Sequence, residues 1–325
     1  MIKLSITENE ENQRLDRFLK KYFSGASLSY IYKLIRKDVK VNGKRSKAES
    51  TLHLGDELNI YITEEECEAF RTSKKVQKSK KQFQIAYEDE HILIVEKPFG
   101  LLVHGDRTEK KNTLANQVIS YLIETGEYHP RVERTFVPSP VNRLDRNTTG
   151  LVIFGKDNPT LQTLNQMIRE KDSIKKYYLT IVSGHLKKEL HLVDRMQKDE
   201  KTNKISVHTL KDENSGRVME TIARPVQYAN GYTLTEIELV TGRTHQIRAH
   251  MQNAGYCVIG DEKYGNAKVN RECKKRFGLS TQFLHAYKLH FADAYDPVAY
   301  LKGKTVTAPF TPNMQSIKNE LFGEK

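Results

Sequence analysis

Cysteine is scarce in this chain. The three cysteines, Cys67, Cys257 and Cys273, are odd in number and far apart among 325 residues. That suits neither a disulfide framework nor a zinc site, and a reducing cytoplasm is the simplest expectation. Long apolar runs are lacking. No stretch approaches the ~20 residues that span a bilayer, and the segment from Met1 to Glu8 lacks the apolar core of a secretory signal. Hydrophobic residues make up only 38% and charged residues 29%, so the surface must be heavily charged. Familiar cofactor and metal motifs are missing too. There is no Gly-x-Gly-x-x-Gly, no P-loop and no His-Glu-x-x-His. No serine or cysteine sits in a nucleophile elbow. We therefore expect chemistry without metal or cofactor, and no membrane partner.

What the chain does have is positive charge. The formal net charge is +12, which favours a polyanionic partner, nucleic acid first and an anionic membrane second. The length predicts two domains or three. Segments of strand type alternate with helical ones without a regular βαβα beat, so we expect an α+β fold with a mixed or mainly antiparallel sheet.

The central stretch is Val141-Asn142-Arg143-Leu144-Asp145-Arg146-Asn147-Thr148-Thr149-Gly150, followed by the apolar run Leu151-Val152-Ile153-Phe154. A carboxylate flanked by two arginines occupies a turn-prone loop at the start of a strand. A scaffold can hold such a group while substrate reaches it. A lone Arg-x-Asp-Arg is usually a surface ion pair, so its weight depends on the rest of the chain.

Residues 13–23 predict an amphipathic helix, with Leu15, Phe18, Leu19, Tyr22 and Phe23 on one stripe. Ser29 is the expected N-cap of a second helix, in which Ile31, Leu34 and Ile35 share one face and Lys33, Arg36 and Lys37 another. Asn42-Gly43 marks a hairpin turn, Gly55-Asp56 another turn, and residues 57–62 alternate as a strand. A basic helix face beside a basic hairpin suits a phosphate backbone. The run Arg14-Leu15-Asp16, then Val41-Asn42-Gly43-Lys44, then Gly55-Asp56 resembles an S4 RNA-binding domain. The resemblance implies structured RNA as ligand, with Lys33, Arg36, Lys37, Lys40 and Lys44 as phosphate contacts.

From residue 63 to 82 the pattern dissolves into acidic and then basic residues with little apolar content, which predicts a flexible basic linker. Residues 83–95 read as strand, turn and strand, broken by Lys97-Pro98-Phe99-Gly100. His104 is expected to be structural. Residues 174–184 form a strand-like segment, so adjacent Tyr177 and Tyr178 must point to opposite faces. Residues 185–220 read as a polar, irregular excursion with a hairpin. Residues 232–240 alternate as a strand, Thr241-Gly242 breaks it, and a helix from Thr244 buries Ile247, Met251 and Ala254 before Gly255. Arg243 then lies at a strand-to-helix junction, with its side chain free to enter a cleft. A final helix is expected around residues 314–321.

These pieces together resemble the RluA-type pseudouridine synthases over nearly the whole chain. Arg143-Leu144-Asp145 with Thr148-Thr149-Gly150-Leu151 is similar to that family's first signature. Tyr178 falls at the tyrosine of its second, and Thr241-Gly242-Arg243-Thr244-His245-Gln246-Ile247-Arg248 is similar to its third. Asn142 stands where the family has histidine and Thr149 where it has serine. The resemblance implies isomerisation of uridine to pseudouridine in RNA. The bond from ribose C1′ to uracil N1 breaks, the base turns, and C1′ rejoins at C5. It implies Asp145, Tyr178 and Arg243 as catalytic residues, with an Arg243 guanidinium beside Asp145 keeping it ionised and Tyr178 stacking on the uracil and helping to remove the C5 proton. Whether Asp145 attacks C1′, abstracts a ribose proton or adds to the ring stays open. Arg143 is the candidate to fill the gap left when the target base leaves the stack. No role is assigned to His245, Arg248 or His250, for which helix packing serves as well, and Asp261 and His285 are taken as structural.

The expected organisation is an S4 domain at 1–62, a linker at 63–82 and a catalytic domain at 83–325. Ribosomal RNA of the large subunit is the preferred substrate, with tRNA the alternative, and we expect a monomer. Two other functions compete. One is an RNA-binding or ribosome-assembly protein with no catalysis. The other is a nucleoside N-glycosidase, which would usually need a second carboxylate. Removing residues 1–62 is expected to weaken RNA binding and flatten its salt dependence, measured as the slope of affinity against salt concentration.

Overall fold

The computed structural model describes residues 1–71, 79–130, 132–199, 204–212 and 216–323. They form two compact units. The first comprises Met1–Lys81, Ala115–Ser139 and Phe154–Gln162, and the second Gln82–Leu114, Pro140–Ile153 and Thr163–Lys325.

In the first unit, strands β1 (Ile2–Ser5), β2 (Val39–Val41) and β3 (Glu57–Ile60) form an antiparallel sheet in the order β1-β3-β2. Helices α1 (Leu15–Tyr22) and α2 (Leu28–Asp38) share its core. The expected stripe is buried as Leu15, Phe18, Leu19, Tyr22 and Phe23, and Ile31, Leu34 and Ile35 join it. The cap of α2 is Ser27, not Ser29. Its hydroxyl accepts from the Tyr30 N–H at 3.2 Å, while Ser29 already lies inside the first turn. Asn42 and Gly43 have φ of +50° and +76°, and Val41 and Lys44 exchange backbone hydrogen bonds across them. That is the two-residue hairpin the Asn-Gly pair predicts.

The expected linker begins as a helix. In α3 (Glu64–Phe70) the Thr63 hydroxyl accepts from the Glu66 N–H at 3.1 Å, and the Glu66 carboxylate accepts from the Thr63 N–H at 3.3 Å. This capping box, with three glutamates at the positive end of the helix dipole, offsets the low apolar content. Cys67 is buried in the core, and the Phe70 ring lies 4.5 Å from that of Tyr30. Residues 72–78 of the expected linker lie outside the described residues. The same unit gathers later segments. Asn9 donates to Glu133 at 2.9 Å and Gln13 to Thr135 at 3.0 Å, and the Asn158 N–H donates to Asn9 at 3.0 Å.

The remaining elements are β4 (Gln84–Glu88), β5 (Ile92–Lys97), α4 (Leu114–Glu124), β6 (Ser139–Pro140), β7 (Thr149–Gly155), α5 (Asn158–Arg169), β8 (Ile174–Ser183), β9 (Leu190–Asp199) and β10 (Lys204–His208). After them come β11 (Arg217–Ala229), β12 (Tyr232–Leu239), α6 (Gln246–Asn253), α7 (Ala267–Phe277), β13 (Leu284–Phe291), β14 (Thr305–Thr307) and α8 (Pro312–Phe322). Among the described residues they build an 11-stranded sheet whose path is β10-β9-β11-β12-β8-β13-β7-β5-β4, with β14 on β13 and β6 on β7. The sheet is mixed: β13 and β7 run parallel, and β8 is antiparallel to both β12 and β13. Leu164 and Met167 of α5 cover Ile92, Ile94, Leu151 and Ile153. Cys273 of α7 and Ile317 and Leu321 of α8 pack with Ile181 and Leu234. The fold is α+β, as expected.

The segment 185–220 is more regular than its polarity suggests. β9 pairs with β10 and β11, and Met196, Ile205 and Met219 are buried with Ala249 and Tyr264. Few apolar residues suffice there, because an edge ribbon needs to cover only one face.

Gly150 is fixed by a close approach. Its φ is +111°, and a Cβ there would sit 2.1 Å from the Ala286 carbonyl oxygen of the parallel neighbour β13. Both the strained φ and the backbone clash forbid a side chain. Gly150→Ala is expected to cost about 3 kcal/mol or more of stability, measured by chemical denaturation of the purified variant.

Candidate active site

In the second unit, the loop before β7, the buried face of β8, the end of β12 and the start of α6 enclose a cavity of about 550 Å³. It is large enough for a nucleoside-sized ligand. Its lining includes Asp145, Tyr178, Arg143 and Arg243, so all four residues expected there from the sequence do meet.

The Asp145 loop is held from several sides. Lys97 is buried and donates from Nζ to the carbonyls of Arg146 at 2.9 Å, Leu101 at 2.8 Å and Pro98 at 2.9 Å. Burial pulls the Lys97 amine down to about 7, while Asp145 pulls the other way. Asn142 donates from Nδ2 to the Leu151 carbonyl at 3.2 Å and accepts from the Ile153 N–H at 2.9 Å. It ties the loop to β7 as a neighbouring strand would. Thr149 Oγ1 lies 2.7 Å from His285 Nδ1, and His285 Nε2 lies 3.2 Å from the Ala308 carbonyl. A carbonyl only accepts, so Nε2 carries the proton and Nδ1 takes the Thr149 hydroxyl. The two departures from the family signature, Asn142 and Thr149, thus have defined hydrogen-bonding roles.

The arginine beside Asp145 is Arg248, not Arg243. Arg248 donates from Nη1 to Asp145 Oδ2 at 3.1 Å, and from Nε and Nη2 to Asp261 at 2.6 and 2.8 Å. Asp261 is fully buried and also accepts from the N–H groups of Lys263 at 2.9 Å and Tyr264 at 3.0 Å. The Tyr264 ring centroid lies 5.2 Å from the Arg248 guanidinium carbon. Asp145 keeps a side-chain exposure of 26%, against 7% for Arg248. The carboxylate therefore opens to the cleft while its partner is sequestered.

Arg243 is exposed, makes no ion pair among the described residues, and reaches only the Val218 carbonyl at 3.5 Å. The turn before it is fixed by Gln246, which accepts from the Arg243 N–H at 3.1 Å and the Thr241 hydroxyl at 2.8 Å. Gln246 also donates to the Glu220 carbonyl and Thr221 hydroxyl at 2.8 and 2.9 Å. Its side-chain amide holds the backbone of the turn and leaves the Arg243 side chain at the rim. A charged residue among the buried positions Ile247 and Met251 was a usable signal for Arg248, because a cation on a buried helix face requires partners.

Tyr178 is 5% exposed. Burial, and then the neighbouring Asp145, raise its hydroxyl above the ordinary phenol range, so it stays protonated at neutral pH. Tyr177 points to the other face, where the Lys288 ammonium lies 4.2 Å from its ring centroid. His245, in the left-handed region with φ +53°, has Nδ1 3.1 Å from the Tyr264 hydroxyl and Nε2 3.9 Å from Asp145. Burial lowers its pKa, against the pull of Asp145. His104 is likewise lowered, by burial and then by Arg143.

In the first unit, Lys33, Arg36, Lys37 and Lys44 are exposed and Lys40 is half-buried, its ammonium 5.4 Å from the Tyr61 ring centroid. Arg36 and Lys47, the latter not foreseen, line a hollow of about 510 Å³ with Tyr32 and Glu49.

A dry arginine holding one open carboxylate, ringed by exposed cations, marks the second unit as that of an enzyme working on a polyanion. A family model described as RNA pseudouridylate synthase matches residues 91–253. The chain is 35% identical over 300 residues to ribosomal large subunit pseudouridine synthase C of Escherichia coli (strain K12), covering 89% of this chain and 88% of that one. It is 31% identical over 301 residues to the protein of the same name from Vibrio cholerae, again over 89% and 88%. Among solved structures, human RNA pseudouridylate synthase domain containing 4 shares the fold, with a TM-score of 0.56 and 18% identity over 73% of this chain and 92% of that one. The chain belongs to the RNA pseudouridylate synthase family and is an RNA pseudouridine synthase.

The distinction between the two arginines is measurable. Arg248→Met leaves Asp261 buried without its cation and is expected to cost about 3–5 kcal/mol of stability. Arg243→Met, at the exposed rim, should stay within about 0.5 kcal/mol of the parent. Equal losses in denaturant titrations would show that Arg248 is not the structural partner described.

Proposed function

We propose that this chain converts uridines of large-subunit (23S) ribosomal RNA to pseudouridine, with Asp145 as the essential carboxylate and no cofactor. The carrying observation is Asp145 itself: open to the cleft on one side and hydrogen-bonded to Arg248 on the other. The names and coverage of the bacterial relatives support the choice of ribosomal RNA. Tyr178 forms the wall on which the uracil stacks. Its raised pKa counts against it as the base that takes the C5 proton, since that task requires the phenolate. Arg243 and Arg143, both exposed at the rim, contact the RNA backbone and the space vacated by the flipped nucleotide.

Residues 1–62 act as an S4 RNA-binding domain through Lys33, Arg36, Lys37, Lys40 and Lys44. Residues 63–82 join it to a catalytic domain at 83–325, the join beginning with α3. Work on ribosomal RNA supports a cytoplasmic location, and we read the protein as a monomer. Ribosomal and transfer RNA labelled with tritium at uracil C5 are the test. Wild-type protein should release tritium to water from the ribosomal substrate without freeing uracil. Asp145→Asn should lower the rate by at least about four orders of magnitude while still binding RNA. Release from transfer RNA alone would move the substrate, free uracil would indicate a glycosidase, and wild-type turnover by Asp145→Asn would remove Asp145 from the chemistry.

A further inference from the structure

The cations around the cleft divide into two kinds. Arg143, Arg169, Lys171, Arg217 and Arg243 are exposed. They form a rim suited to phosphates, which stay partly hydrated and are met by long, mobile side chains. Arg248 and Lys176 are buried, each 6% exposed. Arg248 is committed to Asp145 and Asp261. Lys176 is not committed to anything. Among the described residues it has no carboxylate within 4 Å and no hydrogen-bond partner, yet it lines the same cavity as Asp145 and Tyr178.

The stem of Lys176 is buried while Nζ still reaches the cleft. A mostly desolvated ammonium with no protein partner is costly, so such a group is retained where a ligand completes it or where it works part of the time uncharged. Its place in the strand says which ligand. Lys176 and Tyr178 are two residues apart on β8, so their side chains share one face, ~7 Å apart along the strand. Both are flanked by the same neighbour: Leu289 of β13 opposes Lys176 and Ala286 opposes Tyr178. A base lying against the Tyr178 ring presents its edge within reach of a lysine side chain from that distance. A phosphate of the same nucleotide stays towards the exposed rim.

We propose that Lys176 is a catalytic residue that donates a hydrogen bond to a carbonyl oxygen of the target uracil and stabilises the negative charge the ring gains as its bond to ribose breaks. This rests on the reading of the cleft as the uridine site. When the C1′–N1 bond breaks, its electron pair stays with the ring and spreads over N1 and the two carbonyl oxygens. After rotation, C5 supplies the pair that bonds C1′, the C5 proton leaves, and N1 takes up a proton. Atoms and electrons balance without any co-reactant. An ammonium aimed at a carbonyl oxygen lowers the energy of the charged ring more than that of the neutral uridine, which is what acceleration requires.

Burial lowers the Lys176 pKa to about 8, so in the free enzyme the ammonium is present below that pH and is lost as pH rises through it. Of the other titratable groups facing the cleft, Tyr178 is shifted upward, above the ordinary phenol range, and His245 downward. Lys97, behind the Asp145 loop, is lowered to about 7. The remaining charged lining groups are Asp145, Lys171 and the arginines, with Arg248 in the ion pair already described.

The test is steady-state tritium release over ribosomal RNA concentrations from well below KM to saturation, using full-length wild type, Lys176→Met and Lys176→Arg from pH 6.5 to 9.5. Lys176→Met should lose at least about a hundredfold in rate with RNA affinity within threefold of wild type. The kcat/KM of wild type should fall above about pH 8. Lys176→Arg should recover part of the rate and lose that alkaline fall, which a merely structural role would not produce. A Lys176→Met rate within threefold of wild type overturns the proposal. So does a loss confined to RNA affinity with a salt slope shallower by about one, the mark of a phosphate contact. If wild type releases no tritium, the proposed function fails first. If wild type releases it and Lys176→Met does so equally, only the role of Lys176 falls.

Discussion

The ion triad of Asp145, Arg248 and Asp261 sets the rest of the catalytic unit. One guanidinium spends two of its nitrogens on a fully buried carboxylate and one on a carboxylate that opens to solvent. The arrangement is asymmetric for a physical reason. Arg248 cannot move toward the cleft without leaving Asp261 unpaired in the interior, and an unpaired buried charge costs several kcal/mol. Asp261 in turn is pinned by two backbone N–H groups. The position of the Asp145 carboxylate is thereby referred back to the hydrogen-bonded turn after α6 that carries Asp261.

The second anchor is the loop that carries Asp145. Lys97 binds three carbonyls, Asn142 bridges to two backbone groups of β7, and Thr149 is locked to His285. Gly150 allows β7 to approach β13 closely enough for the parallel pairing at residues 149 and 150. Lys97, Thr149 and His285 are buried, and without these contacts each would leave an unsatisfied polar group. The loop is polar in sequence and yet has little freedom. That combination holds Asp145 in one place at the cleft, as a mobile surface loop would not.

Much of this was legible in the chain. The helical stripe at Leu15 to Phe23 and the Asn42-Gly43 turn were readable because local period and turn chemistry decide them. So were the opposed Tyr177 and Tyr178. The cleft residues Asp145, Tyr178, Arg143 and Arg243 were found from ordered motifs, and they do line one cavity. The partner of Asp145 was misassigned because Arg243 and Arg248 stand in the same motif, and sequence order does not say which side chain turns inward. Gln246 decides it, through four hydrogen bonds that involve residues from 220 to 243. Helix α3 was missed for a different reason. Its stability comes from a capping box and charge placement at its start, not from an apolar stripe. Strands β9 to β11 were underrated because an edge ribbon covers one face with few apolar residues.

The partition of positive charge by depth joins these observations to catalysis. Exposed cations at the rim are hydrated and screened, so they attract RNA and set its salt dependence but barely distinguish one protonation or charge state of the base from another. Buried cations act at lower effective dielectric and fixed geometry, where a hydrogen bond to developing charge is worth far more. A cleft with Arg248 holding its carboxylate and Lys176 unpartnered has assigned its two sequestered positive charges to different tasks. One orients Asp145, and the other, in the role proposed above for Lys176, meets an anion that exists only while the glycosidic bond is broken. Placing both at the rim would strengthen binding of the substrate and its transition state alike, which leaves the barrier to the bound reaction unchanged.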